Sequence, residues 1–549
     1  MPKRGHNDEL SKGFPPKRQR TTETGRAPDH LSSLSNEVLL HVLSFLPVQS
    51  LITCQRLSHR FYALAGDSEL WKRQYFSKWV RPRARRFAMT RRPTFPQSKF
   101  EYSPRVSTWL DHGRLNRNER VTNWKRQYQL RHNWSKGSCR ITEVEIPRPP
   151  RPPMLATLCT GFVFTADSQA GLRAWSAERP GSCKAELTFI HSSTPTALTA
   201  ACGPETNCIE VAVGFADGRF NIYKMDTAKL RLDLRFSCSR SAHGAVTAVA
   251  SSYPYLMVIS EHMILSLYKL PFGSDSPGAP DAAYPIASLK ADNMLSPMSL
   301  SVRPTGPLVV ASIVYSIFHL GCGWSLGIQE LHFDKSGQQV SSRLTTTVDT
   351  QYGVVHLHMG RRHGRSSAPD RRSITHSHTD PFQPIILHQD PPTSVSYSHP
   401  YLLTSHADNT LTVYLVVSNS DSLYVRGGKR LWGHTSSVSA VQVSDRGKAV
   451  SVSSRGDEVR IWELESSISP FADHQASEDD NSVKVSPNKS HTLEGGDLGL
   501  LSGMRARSPL VDVPSKATQG RGYIGFDDER LLLLREKEYA QLLEFYDFT

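Results

Sequence analysis

The chain has 549 residues, more than a single hydrophobic core usually holds, so we expect two or more domains. With 38% hydrophobic residues, the composition excludes a wholly disordered protein. The net charge of +14 is concentrated in one segment, since residues 72–140 contain 19 lysines and arginines against three acids, a local charge of +16.

The cysteines and the apolar runs indicate the compartment. Eight scattered cysteines without a Cys-x-x-Cys pair, and a start unlike a signal peptide, favour reduced thiols in a protein of the cytoplasm, the nucleus or both. The most apolar run, residues 308–322, is too short to span a bilayer, so we expect buried strands and no membrane span. Residues 1–30 are predicted to be a disordered basic tail whose Lys-Arg clusters suit a nuclear import signal.

Residues 31–76 carry apolar side chains at helical spacing. Ser35 is a helix start signal, Pro47 ends the first predicted helix, and Asp67 caps a short third helix. The apolar set between Pro47 and Asp67 predicts the second helix. So small a unit cannot bury all its apolar surface on itself, which predicts a protein interface.

The order of residues in this segment resembles an F-box. The matching elements are Glu37-Val-Leu39, Leu43-x-x-Leu46-Pro47, Ser58-x-x-Phe61 and Leu70-Trp71-Lys72. The resemblance implies docking on a Skp-type adaptor, which hangs on a cullin that brings a ubiquitin-charged conjugating enzyme. The residues that resemble the docking surface are Leu34, Val38, Leu39, Leu51, Leu57 and Leu64.

Residues 77–138 are predicted to be a basic helical linker. Its charge suits nucleic acid or an acidic partner, but a solvated helical connector is the reading we favour. The reason is that its aromatic residues are spaced for packing, namely Trp79, Phe87, Trp109, Trp124 and Tyr128. Near its end, Asn133-Trp134-Ser-Lys-Gly137 resembles the element that precedes the propeller in F-box proteins with WD repeats.

From residue 139 the chain consists of short β-type runs separated by Gly, Pro, Asp and Ser. A strand that ends in an aromatic residue recurs seven times, and three of the gaps are 45 or 48 residues, close to the ~40–45 of a four-stranded propeller blade. We therefore predict an all-β seven-bladed propeller over residues 139–549. The recurring strands are 172–175, 220–223, 265–268, 328–333, 411–414, 459–462 and 543–546.

The repeat from Trp432 to Trp462 resembles a WD repeat. In that family a His, a Ser or Thr, an Asp and the strand Trp form a hydrogen-bond chain, whose counterparts here are His434, Ser453, Asp457 and Trp462. His434 is then a buried structural residue rather than a ligand or base. Residues 139–146 form one more predicted strand, which we expect to complete the last blade and close the ring.

Three segments interrupt the strand pattern and are expected to be mobile loops: 271–283, 355–391 and 465–489. The second has five histidines, but its Ser/Pro-rich setting without cysteine favours a solvated loop over a metal site. By the blade count it joins blades four and five on the face that propellers of this family commonly use for partners. There its arginines would meet phosphate or carboxylate groups of a client: Arg361, Arg362, Arg365, Arg371 and Arg372.

The sequence has no Gly-rich phosphate loop, H-E-x-x-H or G-x-S-x-G, so we expect no catalytic residue, metal or cofactor. The resemblance implies the substrate-recognition subunit of an SCF-type (Skp, cullin, F-box) ubiquitin ligase, which presents a protein client, phosphorylated or not, for ubiquitination and proteasomal degradation. Two alternatives stay open. One is an F-box scaffold that acts outside the ligase, and the other is a nucleic-acid-binding propeller protein that uses the basic linker.

Overall fold

The computed structural model describes residues 30–31, 33–81, 122–147, 154–190, 193–205, 207–238, 243–270, 284–290, 295–334, 336–348, 386–419, 422–455, 458–465, 482–487, 523–537 and 540–549. They divide into a helical unit, which reaches residue 128, and a larger unit from residue 129 onward that is mainly β. Of the helices in these ranges, none combines the length and the apolar character that crossing a membrane requires.

The helical unit begins with four short helices where the sequence predicted three. Their bounds are α1 (Asn36–Leu43), α2 (Val48–Cys54), α3 (His59–Ala65) and α4 (Ser68–Tyr75), followed by a π-helical turn (Phe76–Val80) and, later in the chain, by α5 (Trp124–Lys136). The apolar run after Pro47 forms two helices because Ser58 Oγ accepts a hydrogen bond from the amide of Phe61 and starts α3.

The predicted helix caps are present. Ser35 accepts from the amide of Val38, and Asp67 accepts from the amide of Glu69. The first helix already ends at Leu43, however, and Pro47 occupies the N-cap position of α2. The sequence therefore located the starts of α1 and α4 but placed the end of α1 too late.

The core of the helical unit is small. Leu43, Leu51, Ala65 and Leu70 form it, and the indole of Trp71 donates to the carbonyl oxygen of Ala65 over 2.9 Å. Three of the five linker aromatics pack as the sequence predicted: the rings of Trp79 and Tyr128 lie 4.7 Å apart, and those of Tyr75 and Trp124 lie 5.5 Å apart. Phe87 and Trp109 lie outside the described residues.

In the described residues, the second unit consists of seven antiparallel sheets that follow one another along the chain, a seven-bladed propeller. The chain enters through β1 (Ser138–Pro147). Blade one is β2 (Leu155–Cys159), β3 (Phe162–Asp167), β4 (Gly171–Ser176) and β5 (Cys183–Leu187); blade two is β6 (Pro195–Cys202), β7 (Cys208–Phe215), β8 (Phe220–Asp226) and β9 (Arg231–Cys238); blade three is β10 (Val246–Ser252), β11 (Tyr255–Ser260), β12 (Ile264–Lys269) and β13 (Tyr284–Lys290).

The remaining blades continue in the same order. Blade four is β14 (Leu295–Thr305), β15 (Leu308–His319), β16 (Gly323–Phe333) and β17 (Gln339–Thr346); blade five is β18 (Ser394–Ser398), β19 (Tyr401–Ser405), β20 (Leu411–Ser418) and β21 (Leu423–Leu431); blade six is β22 (Val438–Val443), β23 (Lys448–Ser453), β24 (Val459–Glu463) and β25 (Ser482–Lys484); after β26 (Ser486–Pro487), blade seven is β27 (Ile524–Phe526), β28 (Arg530–Lys537) and β29 (Ala540–Asp547).

The predicted blade count and ring closure are confirmed. All seven strands that end in an aromatic residue are the third strands of their blades. β1 pairs antiparallel with β29, from Arg140 opposite Asp547 to Pro147 opposite Ala540, and thus supplies the outer strand of blade seven. The sequence did not predict β26, which pairs in parallel with the start of β1.

The predicted loops are only partly covered by the described residues. Residues 271–283 and 355–385 lie outside them, with the five arginines predicted to bind a client and His356, His358, His363, His376 and His378. Residues 386–391 are described and include the buried His388. The prediction of a mobile loop over 465–489 is wrong for residues 482–487, because these form β25 and β26 and cover the edges of blades six and seven.

The Asn-Trp-x-x-Gly element attaches the end of α5 to the propeller. Asn133 donates to the carbonyl oxygen of Phe548 over 2.8 Å, and the indole of Trp134 donates to that of Asp528 over 2.9 Å. Gly137 adopts a φ of +64°, which favours glycine, and the backbone of Lys484 leaves no room for a Cβ. Asp528 lies in the turn between β27 and β28, so we call this side of the ring the turn face.

The opposite side carries the connections from one blade to the next, and we call it the connection face. β17 ends and β18 begins at this face. The two strands on either side of the Arg-containing segment therefore end and begin at the connection face, as the blade count predicted.

Candidate protein-binding surfaces

The first helix carries two apolar stripes. Leu39 and Leu43 are buried against the other helices. Val38, Val42 and Phe45, spaced at i, i+4 and i+7, remain 46%, 43% and 69% exposed. The described residues of the helical unit therefore leave the second stripe partly open to solvent.

Other apolar side chains of this unit are exposed as well. Ile52, Leu57 and Tyr62 lie on or beside α2 and α3 and are each more than two-fifths exposed. Together with Val38, Val42 and Phe45 we call them the exposed apolar set. So many large exposed apolar side chains on so few residues make this a candidate interaction surface.

The structure separates the six residues predicted to bind the adaptor. Val38 and Leu57 are exposed, whereas Leu34 and Leu64 are half-buried. Leu39 and Leu51 are almost fully buried, so they support the core of the unit. The adaptor contact of all six stays a prediction.

Sequence reasoning missed four members of the exposed apolar set. Val42 was not predicted to be exposed, although its spacing of four from Val38 was the signal for the second stripe. The others missed are Phe45, Ile52 and Tyr62. Phe45 is held at the rim of the set, where the guanidinium of Arg73 lies 5.6 Å from its ring centroid.

Blade six contains the hydrogen-bond chain typical of a WD repeat, with Ser451 in the position predicted for Ser453. His434 Nε2 lies 2.6 Å from Ser451 Oγ, and the indole of Trp462 donates to the same oxygen over 2.8 Å. The assignment of Ser453 was wrong, because its hydroxyl instead accepts from the amide of Glu458. Asp457 lies outside the described residues.

Glu458 adds a buried carboxylate beside this chain. Its carboxylate lies 3.5 Å from His434 Nδ1 and accepts hydrogen bonds from the amide and hydroxyl of Thr435. Burial raises the pKa of Glu458, but the hydrogen bonds from Thr435 and Arg460 outweigh it and lower that pKa to about 2. His434 is thus a buried structural residue, as predicted.

Blade five contains a second buried polar cluster. The rings of His388 and His406 stack in parallel with centroids 3.8 Å apart. Thr412 and Thr404 contact their Nε2 atoms at 3.3 and 2.9 Å. Burial lowers the pKa of His388 to about 4 and that of His406 to about 3, so both rings are neutral at neutral pH.

These clusters provide no metal site. Among the residues that the structure describes, no group of three or more His, Cys, Asp or Glu side chains could hold a metal ion. The polar clusters of blades five and six instead fix their blades in place.

The connection face carries its own exposed apolar residues. The hairpin of β15 and β16 reaches its tip at His319 opposite Gly323, where Leu320 is 97% exposed and Phe318 lies edge-on to Trp324. The amide of Trp324 donates to the carbonyl oxygen of His388 over 2.9 Å, so the tip is joined to the end of the Arg-containing connection. Leu387 and Trp432 are also exposed on this side.

Two family models match the chain. Residues 139–549 match the β-propeller of the F-box protein pof12 family, and residues 31–77 match an F-box-like domain. Each match coincides with one of the two kinds of structure described above, the propeller and the short helices.

Individual proteins are also similar to parts of this chain. The F-box protein pof12 of Schizosaccharomyces pombe is 22% identical over 455 residues, which cover 80% of this chain and 86% of that protein. The F-box protein dre-1 of Caenorhabditis elegans is 38% identical over 60 residues, 11% of this chain and 6% of that protein. The β-propeller domain of Myceliophteria thermophila Cps50 (Swd1) has 10% identity and a TM-score of 0.38, over 74% of this chain and 100% of that chain.

Proposed function

Because the chain belongs to the F-box proteins with a pof12-type β-propeller, we propose that it is the substrate-recognition subunit of an SCF-type ubiquitin ligase. Proteins of this kind are typically adaptors or receptors rather than enzymes, and an F-box generally binds a Skp-type adaptor. The adaptor would connect the chain to a cullin and to a ubiquitin-charged conjugating enzyme.

The observation that carries this proposal is the exposed apolar set of the F-box helices. Val38, Val42 and Phe45 form a stripe that the described residues of the helical unit leave between 43% and 69% exposed. Burial of apolar surface contributes about 25 cal/mol per Å², so an adaptor that covers this stripe gains binding energy without any change in the core of the unit. Leu34, Leu57, Ile52 and Tyr62 would extend the same contact.

The propeller would hold a protein client. Its connection face has exposed Phe318, Leu320 and Trp432, and the Arg-containing segment starts and ends on this face. Apolar contacts from the face, with charge-assisted bonds from Arg361, Arg362, Arg365, Arg371 and Arg372 to carboxylate or phosphate groups, would select the client. The end of α5 binds the opposite, turn face, which leaves the connection face free for this contact.

The role of the receptor in catalysis is proximity. A client held beside the conjugating enzyme reacts in an effectively unimolecular step rather than after a bimolecular encounter in solution. This increases the rate without a catalytic side chain from this chain. We place the complex in the cytoplasm, the nucleus or both, where reduced cysteines are stable.

The test is affinity purification of the intact chain beside a deletion of residues 31–71, with the proteasome blocked. The proposal predicts adaptor, cullin and accumulating clients with the intact chain, and loss of adaptor and cullin with the deletion. Recovery of the adaptor without cullin would support a scaffold outside the ligase and contradict the proposal.

Client binding is tested separately from adaptor binding. A variant with Arg361, Arg362, Arg365, Arg371 and Arg372 changed to Glu should keep adaptor and cullin but lose clients. A matched control changes Lys229 and Arg231, which lie at the turn between β8 and β9 on the turn face, to Glu and should keep all three. Equal client recovery from both variants would exclude the arginines from client binding.

A further inference from the structure

The outer strand of a blade has one edge that its own sheet leaves unpaired. In folded proteins such edges are short, covered by another strand, or carry charges or proline, and these features keep other chains from pairing with them. In this chain β25 is three residues long, and β26 covers the start of β1. The outer strands of blades one, two, three and five carry charges or a proline: Lys184 and Glu186, Arg231, Asp233 and Arg235, Pro285 and Lys290, and Arg426, Lys429 and Arg430.

The outer strand of blade four, β17, is the exception. Its eight residues include one charge, Arg343, whose guanidinium donates to the carbonyl oxygen of Asn419 in blade five over 2.5 Å. Two aliphatic side chains of β17, Val340 and Leu344, are 60% and 62% exposed. Within the described residues β17 is the last strand of its sheet. An apolar edge of this length is a template for pairing with another strand.

The register of β17 shows which backbone groups are available at its free edge. The amide of Thr347 donates to the carbonyl oxygen of Leu326, and the pairing with β16 is regular over residues 341–346. Successive residues of an antiparallel strand direct their backbone groups to opposite sides, so every second residue from this point directs its N–H and C=O away from β16. These outward residues are Ser342, Leu344 and Thr346.

We propose that β17 pairs with β17 of a second copy of this chain, antiparallel and around a two-fold axis at Leu344. Ser342 then lies opposite Thr346 of the other copy, and the two Leu344 residues lie opposite each other. Because all three residues direct their backbone groups outward, each opposite pair exchanges two main-chain hydrogen bonds. The two Leu344 side chains lie on the same face and cover each other. This inference is independent of the ubiquitin-ligase proposal.

The charges of β17 favour a second copy as the occupant of this edge. In the proposed register Arg343 lies opposite Thr345 of the other copy, so no like charges meet across the axis. A strand with a single charge has little electrostatic attraction for a strongly charged partner strand. One pair of strands is smaller than the roughly 800 Å² per partner of a stable complex, so the dimer should dissociate on dilution.

Sedimentation velocity of the full chain at a series of micromolar concentrations tests the dimer. The average sedimentation coefficient should rise with concentration, and Leu344→Lys, which brings two ammonium groups opposite each other, should raise the Kd of the dimer about tenfold or more. Leu234→Lys, which changes an exposed leucine on β9, is the matched control and should dimerise normally. A full chain that is monomeric at every concentration, or a Leu344→Lys variant that dimerises normally, overturns the proposal.

Cysteine cross-linking of the full chain tests the register. Leu344→Cys should form a disulfide-linked dimer under mild oxidation, because the Cα atoms of a hydrogen-bonded pair lie about 5.5 Å apart, within the range of disulfides. Val340→Cys is equally exposed but would lie about 26 Å from its copy and should not cross-link. The unchanged chain, with its exposed Cys183 and Cys202, gives the background. Cross-linking of Val340→Cys as efficient as that of Leu344→Cys overturns the proposed pairing.

Discussion

Trp134 stacks on Phe548 with ring centroids 3.9 Å apart and planes at 17°. The ammonium of Lys448 lies 3.9 Å from the centroid of the same indole ring. The last turn of α5 is thus joined to the end of blade seven and to the turn between β22 and β23. This contact explains why an Asn-Trp-x-x-Gly element stands immediately before the first strand of the propeller.

Trp134→Ala should reduce the stability of the propeller strongly. It removes the stack on Phe548 and leaves the carbonyl oxygen of Asp528 without its indole donor, so we expect a loss of about 3–5 kcal/mol in the free energy of unfolding. Trp134→Phe keeps the stack and should lose less. Chemical denaturation of both variants measures the difference, and equal stability of Trp134→Ala and the unchanged chain would refute the role of the stack.

Ser451→Ala should destabilise blade six. The substitution leaves His434 Nε2 and the Trp462 indole without their shared partner, and each buried unpaired group costs about 1–3 kcal/mol. Ser266→Ala, in the third strand of blade three, is the control and should change stability by less than about 0.5 kcal/mol. Thermal unfolding compares the two, and equal effects would show that the chain of hydrogen bonds contributes nothing.

The stacked histidines should make the propeller sensitive to mild acid. Their pKa values are about 4 and about 3 in the folded state, below the ordinary value of 6.5, so the unfolded chain binds more protons between these limits. The contribution of these histidines to the free energy of unfolding is therefore complete above pH 6.5. It falls with decreasing pH, by about 2 kcal/mol per histidine at pH 5. Denaturation at pH 7.5 and pH 5 measures this loss.

The matched variants for this prediction are His388→Gln with His406→Gln, and His262→Gln as the exposed control. The double variant should lose most of the difference between pH 7.5 and pH 5, because glutamine does not titrate. The control should keep the difference. A double variant as acid-sensitive as the unchanged chain would assign the effect to other groups.

Prolines in β1 should open the ring. Successive backbone amides of a strand point to opposite sides, so the amide of either Thr142 or Glu143 points toward β29. Changing both residues to proline therefore removes a ladder hydrogen bond and distorts the strand. We expect a loss of about 3 kcal/mol or more, whereas the double change to alanine should cost far less. If both pairs of changes have the same effect on unfolding, β1 does not hold the ring closed.

Much of the propeller could be predicted from the sequence. The third strands of all seven blades were found because each ends in an aromatic residue, and three of the gaps between them match the length of one blade. The outer strand of blade seven followed from the one unused strand before blade one. β26 could not be found, because a two-residue strand such as Ser486–Pro487 has no periodicity.

The finer details depend on register and packing. Ser451 and Ser453 are both on β23, and only the pairing of Ala449 with Trp462 shows which hydroxyl reaches the indole. In the F-box, periodicity could not separate the two stripes of α1, since Val38 and Leu39 both start an i, i+4 series. Which stripe is covered depends on how the other helices pack, and this is not encoded in local spacing.

The proposed function depends on the binding of a Skp-type adaptor to the exposed apolar set. The most direct measurement is the Kd of the purified adaptor for the full chain and for the Val38→Asp, Phe45→Asp double variant, by calorimetry. With about 1–2 kcal/mol from each apolar side chain, the double variant should bind at least about 30-fold more weakly, while Leu320→Asp in the propeller should bind normally. An unchanged Kd for the double variant, or no binding by the full chain, would show that the exposed apolar set does not bind the adaptor.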